Sequence, residues 1–207
     1  MGPERRQTHW EAVYTIKAEQ EVSWFQASPT PSLEAIARAG ARPDSALIDI
    51  GGGASRLVDH LLAQGFVDVS VLDLSGAALD AAKARLGVQA AKVDWIVADV
   101  TTWQPPRTYD VWHDRAAFHF LTDENDRAVY VACLARALKI GGHAIIATFA
   151  LDGPERCSGL PIVRYDAASL GQALGPAFEL IHSSRHEHAT PWDSRQIFQF
   201  SVFRREG

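Results

Sequence analysis

The stretch Leu47-Ile48-Asp49-Ile50-Gly51-Gly52-Gly53-Ala54-Ser55-Arg56-Leu57 constrains the fold more than any other part of this chain. An apolar run ends in an acid, three glycines make a turn too tight for side chains, and a helical pattern begins at Leu57. Glycine reaches backbone angles closed to other residues and lets a ligand lie against the main chain. The free amides at the start of the helix then face that ligand. Asp49 makes the turn unsuitable for a pyrophosphate, because a carboxylate there repels phosphate and suits an amine or an ordered water. Arg56 stands where a dinucleotide fingerprint wants a third small residue for close helix–strand packing, which weighs against a nicotinamide-dependent oxidoreductase.

The same alternation continues along the chain. Apolar runs at residues 46–50, 67–72, 95–97, 109–112 and 143–149 suit strands hidden on both faces. Between them, Leu57, Val58, Leu61 and Leu62 repeat at helical spacing, and residues 77–86 are rich in alanine and leucine. Residues 123–138 carry Val129, Val131, Leu134 and Leu138 on a helical period, and Gly141-Gly142 is expected to stop that helix. A short helix at 166–174 and two strands, at 178–185 and 196–203, then break the alternation. The expected architecture is α/β: a Rossmann-like, doubly wound, mostly parallel seven-stranded sheet with an antiparallel C-terminal strand pair. Residues 1–31, rich in Trp and Tyr, are expected to form an N-terminal helical lid on a domain spanning 32–207.

Composition narrows the partners. Hydrophobic residues are 47% of the 207, enough for a sizeable core, and the formal charge of −5 argues against an obligate nucleic acid partner. The two cysteines, Cys133 and Cys157, lack CxxC partners, so neither a disulfide framework nor a thiolate metal cluster is expected. Residues 1–20 are polar and charged, and no apolar run approaches the ~20 residues of a membrane span, which predicts a cytoplasmic protein without membrane contact.

Two further acids follow strands in the expected places. Asp73, 22 positions after Gly51, closes the second strand, near the usual place for an acid gripping ribose hydroxyls. Asp99-Val100 follows the third, which suits an adenine amine with an apolar side chain against the ring. Together, the D-x-G-x-G turn, these two acids and the Leu138-Lys139-Ile140-Gly141-Gly142 turn before strand five resemble the class I S-adenosylmethionine-dependent methyltransferase core over residues 46–149. A parallel core closed by a hairpin-like pair also separates that sheet from the dehydrogenase one. The resemblance implies S-adenosyl-L-methionine as cofactor, with Gly51 and Gly53 near its aminoacyl part, Asp73 on the ribose, and Asp99 with Val100 on the adenine. Asp49, Gly52, Ser55, Leu74, His113 and Asp114 complete the candidate cofactor set. The segments Trp10-Glu11-Ala12-Val13-Tyr14 and Ser23-Trp24-Phe25-Gln26 are similar to those of small bacterial methyltransferases, which implies a lid of Trp10, Tyr14 and Trp24 over the sulfonium.

The acceptor half is read from the segment after strand four. His113 and Asp114 fall at that strand's C-terminal end, where open α/β sheets place their ligands, and His113 and His119 are the candidate bases. Arg115, Arg156, Cys157 and Arg164 are candidate substrate residues, the arginines because they bind carboxylates bidentately. His182, His186 and His188 share parity on a strand but read as a solvated edge, and no metal site is expected. No Asn/Asp-Pro-Pro-aromatic run follows strand four, so the resemblance points away from adenine and glutamine amino-methyltransferases. Asp114-Arg115 resembles the Asp-Lys-Gly turn of some protein-lysine methyltransferases, with Arg for Lys and Ala116 for Gly. The reading is a monomeric or weakly dimeric methyltransferase acting on a small molecule. A lysine-bearing protein is the alternative acceptor, and a non-catalytic cofactor-binding module is a third possibility.

Overall fold

Strands that are apolar on both sides need helices above and below them, and the chain supplies both layers. The computed structural model describes residues 2–207. The elements run α1 (Pro3–Ile16), α2 (Thr30–Arg38), β1 (Leu47–Ile50), α3 (Leu57–Ala63), β2 (Val69–Asp73), α4 (Gly76–Leu86), β3 (Val93–Val97) and β4 (Tyr109–Arg115). They continue with α5 (Glu124–Ala137), β5 (Leu138–Phe149), β6 (Arg156–Cys157), β7 (Leu160–Pro161), α6 (Ala167–Leu174), β8 (Phe178–Ala189) and β9 (Arg195–Arg205). Seven strands form one sheet in the order β3-β2-β1-β4-β5-β9-β8, while β6 and β7 make a separate small hairpin. The pairs are parallel from β3 to β5, and β9 runs antiparallel to both β5 and β8. This is the expected mostly parallel sheet with an antiparallel C-terminal pair.

Alternation along each strand splits the core into two layers. Ile48, Ile50, Trp112 and Ile146 pack toward Tyr130 and Leu134 of α5 and Leu170 of α6. Leu47, Val69, Val71, Val111 and Ile145 pack on the other face with Ile36 of α2, Leu57 and Leu61 of α3, and Leu79 of α4. Side-chain caps start three of the helices: Ser75 accepts the amide of Ala78, Asp123 that of Asn125, and Asp166 that of Ser169. Each such cap contributes about 1 kcal/mol. Strand order reverses between β1 and β4, and that switch point opens a crevice beyond the strands' carboxyl ends.

Three boundaries differ from expectation. The helix α5 ends at Ala137, not at the glycine pair, because Leu138 is already extended (φ −89°, ψ 135°) and pairs with Tyr109 of β4. Gly141 and Gly142 instead lie inside β5, where the register slips between Tyr109 and Val111. β4 runs through Arg115 rather than stopping at residue 112, so His113 and Asp114 are strand residues with buried side chains. β8 extends to Ala189 because it pairs along β9; its polar sequence reflects an edge strand with one face in water. Among the described residues no helix is long and apolar enough to cross a membrane.

Candidate functional site

The glycine turn is held by what surrounds it. Gly51 (φ +66°) and Gly53 (φ +47°) sit in the left-handed region. A Cβ on Gly52 would stand 2.6 Å from both Asp49 Oδ2 and Val71 Cγ1, and one on Gly53 would stand 3.0 Å from Asp73 Oδ2 and Tyr14 Oη. The turn therefore lies between two carboxylates and the Tyr14 hydroxyl, with no room for a side chain at Gly52. Asp49 does not point freely into this space. Its Oδ1 lies 2.7 Å from His113 Nδ1, and Ser32 Oγ lies 2.9 Å from His113 Nε2. Both nitrogens of the buried His113 ring are thus engaged, one by a carboxylate and one by a hydroxyl.

Asp73 closes β2 and faces the cavity beside Leu74. Burial pushes its carboxyl up to about 7, against the opposing pull of the backbone amides of Ser75, Gly53 and Leu74. Ser75 Oγ donates to Glu11 Oε2 of α1 at 2.8 Å, and Glu11 also accepts the amide of Ala77 at the start of α4. Asp99 is saturated. Its Oδ2 accepts Arg6 Nε and Nη2 at 3.1 and 2.9 Å, and its Oδ1 accepts the backbone amide and hydroxyl of Thr101 at 2.8 and 2.7 Å. Arg6 also reaches Asp126 of α5 at 2.5 Å, so α1 is fastened both to the segment after β3 and to α5.

The crevice is a cavity of about 860 Å³ counting its mouth. Asp73, Leu74, Asp99 and Val100 line one end, and Trp10, Tyr14, Trp24, Phe120, Phe149 and Phe198 are among the residues lining it elsewhere. Trp10 meets Trp24 and Phe120 edge-on at 5.6 and 5.0 Å, and Trp24 Nε1 donates to Tyr14 Oη at 3.1 Å. A second, adjoining space of about 560 Å³ is bordered by Gly51, Gly52, Ser55, Arg56, Asp49 and His113. Arg115 borders both spaces.

The remaining sequence candidates fall at varied distances from this cavity. Asp114 is fully buried beneath it, accepting the amides of Ala117 and Phe118 and the hydroxyl of Tyr130 at 2.6 Å. Burial pushes its carboxyl up to about 6 while those bonds oppose the rise. It thereby holds the Ala116-Ala117 turn, in which Ala116 has φ +70°, against the cavity floor. His119 lies behind the wall, with Nδ1 accepting the Phe149 amide at 3.4 Å and Nε2 buried without a partner. Burial and the nearby Arg115 charge push it down to about 3, so it is neutral at ordinary pH. Cys157 lines the cavity, but burial pushes its thiol up to about 12 and keeps it protonated. Arg156 is exposed and bonds the Gly159 carbonyl, and Arg164 bonds the Gly153 carbonyl and Glu155; neither borders the cavity. His188 is bonded to the Ser23 carbonyl at 2.7 Å, and no cluster of three metal-ligating side chains occurs among the described residues.

Arg6, Glu11, Ala116 and Phe198 were not singled out from sequence. Arg6, Trp10 and Tyr14 recur every fourth residue, so the face of α1 that carries the two aromatics also carries Arg6. That spacing was the available signal. Phe198 had none, because its place depends on β9 pairing with β5.

Residues 47–142 match the family described as "Methyltransferase domain". No curated protein matches the chain significantly. Among solved structures, the N-methyltransferase NodS from Bradyrhizobium japonicum, crystallised with S-adenosyl-L-homocysteine, aligns with a TM-score of 0.73 at 14% identity over 95% of this chain and 98% of its own. The 1,6-didemethyltoxoflavin-N1-methyltransferase from Burkholderia thailandensis aligns with a TM-score of 0.70 at 18% identity, over 100% and 92%. The [4+2]-cyclase SpnF aligns with a TM-score of 0.75 at 13% identity, over 100% and 97%. At these identities the structural likeness concerns the fold.

Proposed function

We propose that this chain, whose residues 47–142 match a methyltransferase domain, is a class I S-adenosylmethionine-dependent methyltransferase that moves a methyl group from S-adenosyl-L-methionine to a small-molecule acceptor. The observation that carries the reading is one continuous cavity joining the ends of the first three strands to an aromatic chamber lined in part by α1. The residues fit the cofactor: a side-chain-free cradle at Gly52-Gly53 adjoins a buried carboxylate, Asp73, whose charge is costly until hydroxyl donors meet it.

The cofactor supplies a sulfonium-bound methyl, which a nucleophile takes by in-line displacement as the carbon–sulfur electron pair returns to sulfur. The protein's part is alignment and exclusion of water. Asp73 accepts the ribose hydroxyls, Leu74 and Val100 flank the adenine, and the backbone from Gly51 to Gly53 receives the aminoacyl part. Asp49 is steered by His113, which makes His113 a positioning residue in this scheme. Trp10, Tyr14 and Trp24 cover the reacting centre with ring faces suited to a cation. Arg6 and Glu11 fasten α1, which carries Trp10 and Tyr14, to Asp99, Asp126 and Ser75. A concave, aromatic-lined cavity covered by α1 favours a small acceptor over a peptide in a shallow groove.

The fold alone does not fix the reaction, as a cyclase sharing it illustrates. Calorimetric titration with S-adenosylmethionine, S-adenosylhomocysteine and NAD tests the proposal. Micromolar binding of the first two, silence from NAD, and label transfer from methyl-labelled cofactor in an acceptor screen are the expected results. Binding of NAD alone overturns it.

A further inference from the structure

Arg115 is a cation with no carboxylate hydrogen-bonded to it among the described residues. Its Nη1 donates to the Trp24 carbonyl at 3.0 Å, while Nη2 is buried and has no hydrogen-bond partner. The guanidinium lies 5.2 Å from the centre of the Phe198 ring of β9, which also lines the cavity. Its other electrostatic neighbours are Tyr14, Cys157, His119 and His188, none of which is a carboxylate. Among the described residues Asp49 is the acid that acts on it, and that acid is already bonded to His113. Burial lowers the guanidinium to about 10, which leaves it charged at neutral pH. A buried guanidinium donor left unmatched is costly, and a planar anion is what its fork is shaped to meet.

The other arginines nearby are each charge-paired or outside the cavity, although Arg56 Nε is also buried without a partner. Arg6 is tied to Asp99 and Asp126, Arg56 to Glu19, and Arg156 and Arg164 lie outside the cavity. Around Arg115 the chamber wall is Trp10, Trp24, Phe120, Phe149 and Phe198, with a thiol that stays protonated. None of these side chains takes a proton from an acceptor near neutral pH.

We infer that the acceptor is a small aromatic or unsaturated molecule bearing a carboxylate or similar oxyanion, and that Arg115 binds this group within the aromatic chamber. The inference rests on the methyltransferase reading and names the acceptor class for that same site. A lysine side chain fits poorly, since its ammonium must lose a proton beside a fixed positive charge.

The competing partner for Arg115 is the cofactor's own carboxylate, and one set of titrations separates the two. Wild type, R115K and R115Q are titrated with S-adenosylhomocysteine and with 5′-methylthioadenosine, which lacks the aminoacyl carboxylate. The product-loaded proteins are then titrated with benzoate, cinnamate, salicylate and indole-3-acetate, each against its amide. The expected result is product affinity within about threefold in all three proteins, with at least one carboxylate preferred about tenfold or more over its amide by wild type. That preference falls in R115K and disappears in R115Q. Melting curves of the variants confirm that they fold. Two results overturn the inference: no carboxylate preferred over its amide by wild type, or R115Q losing about tenfold in product affinity while binding methylthioadenosine normally. Failure of wild type to bind the product at all sinks the methyltransferase reading itself, and this inference with it.

Discussion

On the proposed reading, Asp73 couples cofactor binding to pH in the direction set by its raised carboxyl. Its carboxyl is pushed up to about 7 by burial, yet ribose hydroxyls donate best to the ionised form. In the free protein the fraction ionised rises from about one in eleven at pH 6 to about ten in eleven at pH 8, given a value of about 7. Cofactor affinity therefore rises about tenfold over that interval, which is about 1.4 kcal/mol, and binding releases a proton below pH 7. Asp73→Asn keeps the volume and the oxygen that accepts the Ser75 amide at 2.8 Å, but removes the charge. It should cost about 1–3 kcal/mol of cofactor affinity and abolish the pH slope. The stability effect has the opposite sign. A folded-state value raised from 3.8 means the unfolded chain loses this proton first. Asp73 thus destabilises the free protein progressively from about pH 4 to about pH 7, and fully above that. The Asn variant should then melt above wild type at pH 8, with the gap closing at pH 4. Calorimetry between pH 6 and 8 in buffers of different ionisation enthalpy measures both the slope and the proton release. A flat wild-type profile, or a slope that survives in the Asn variant, refutes the reasoning.

Two other perturbations test the frame around the cavity. Arg6→Met leaves Asp126 and half of the Asp99 acceptor sites unmatched, in a pair whose side chains are only 7% and 9% exposed. It should cost about 2–4 kcal/mol and speed amide exchange in α1 selectively, whereas unchanged exchange there means the pairing does not hold the lid. Gly52→Ala places a Cβ 2.6 Å from Asp49 Oδ2 and Val71 Cγ1, and Asp49 cannot give way without breaking its bond to His113. A loss of about 1–3 kcal/mol in thermal stability and weaker cofactor binding are expected, and wild-type behaviour in both would show the turn to be looser than drawn.

The cofactor half was more legible than the acceptor half for a reason of chain locality. The Gly51–Gly53 turn, Asp73 and Asp99 each follow directly from a strand, so a run of neighbouring residues announces them. The sequence places His113 and Asp114 at the C-terminal end of a strand, where ligands bind, whereas β4 continues through Arg115 and both side chains are buried in packed surroundings. Strand length there is set by pairing with β1 and β5, which no local pattern records. Arg156 and Arg164 were attractive as loop cations, and the β6–β7 hairpin directs them to nearby carbonyls instead.

By itself the sequence determined the α/β alternation, the glycine turn with its acid, and the acids after strands two and three. Those are local features, dictated by side-chain periodicity and by backbone angles that only some residues reach. Only the tertiary structure decided that Arg6 saturates Asp99 and that Phe198 and Arg115 meet in the same chamber. It also decided that Asp114 shapes a turn rather than facing the cavity. Each of these depends on residues far apart in the chain arriving at one point. Burial then decides which charges find partners there, and the guanidinium of Arg115 keeps a buried donor with none.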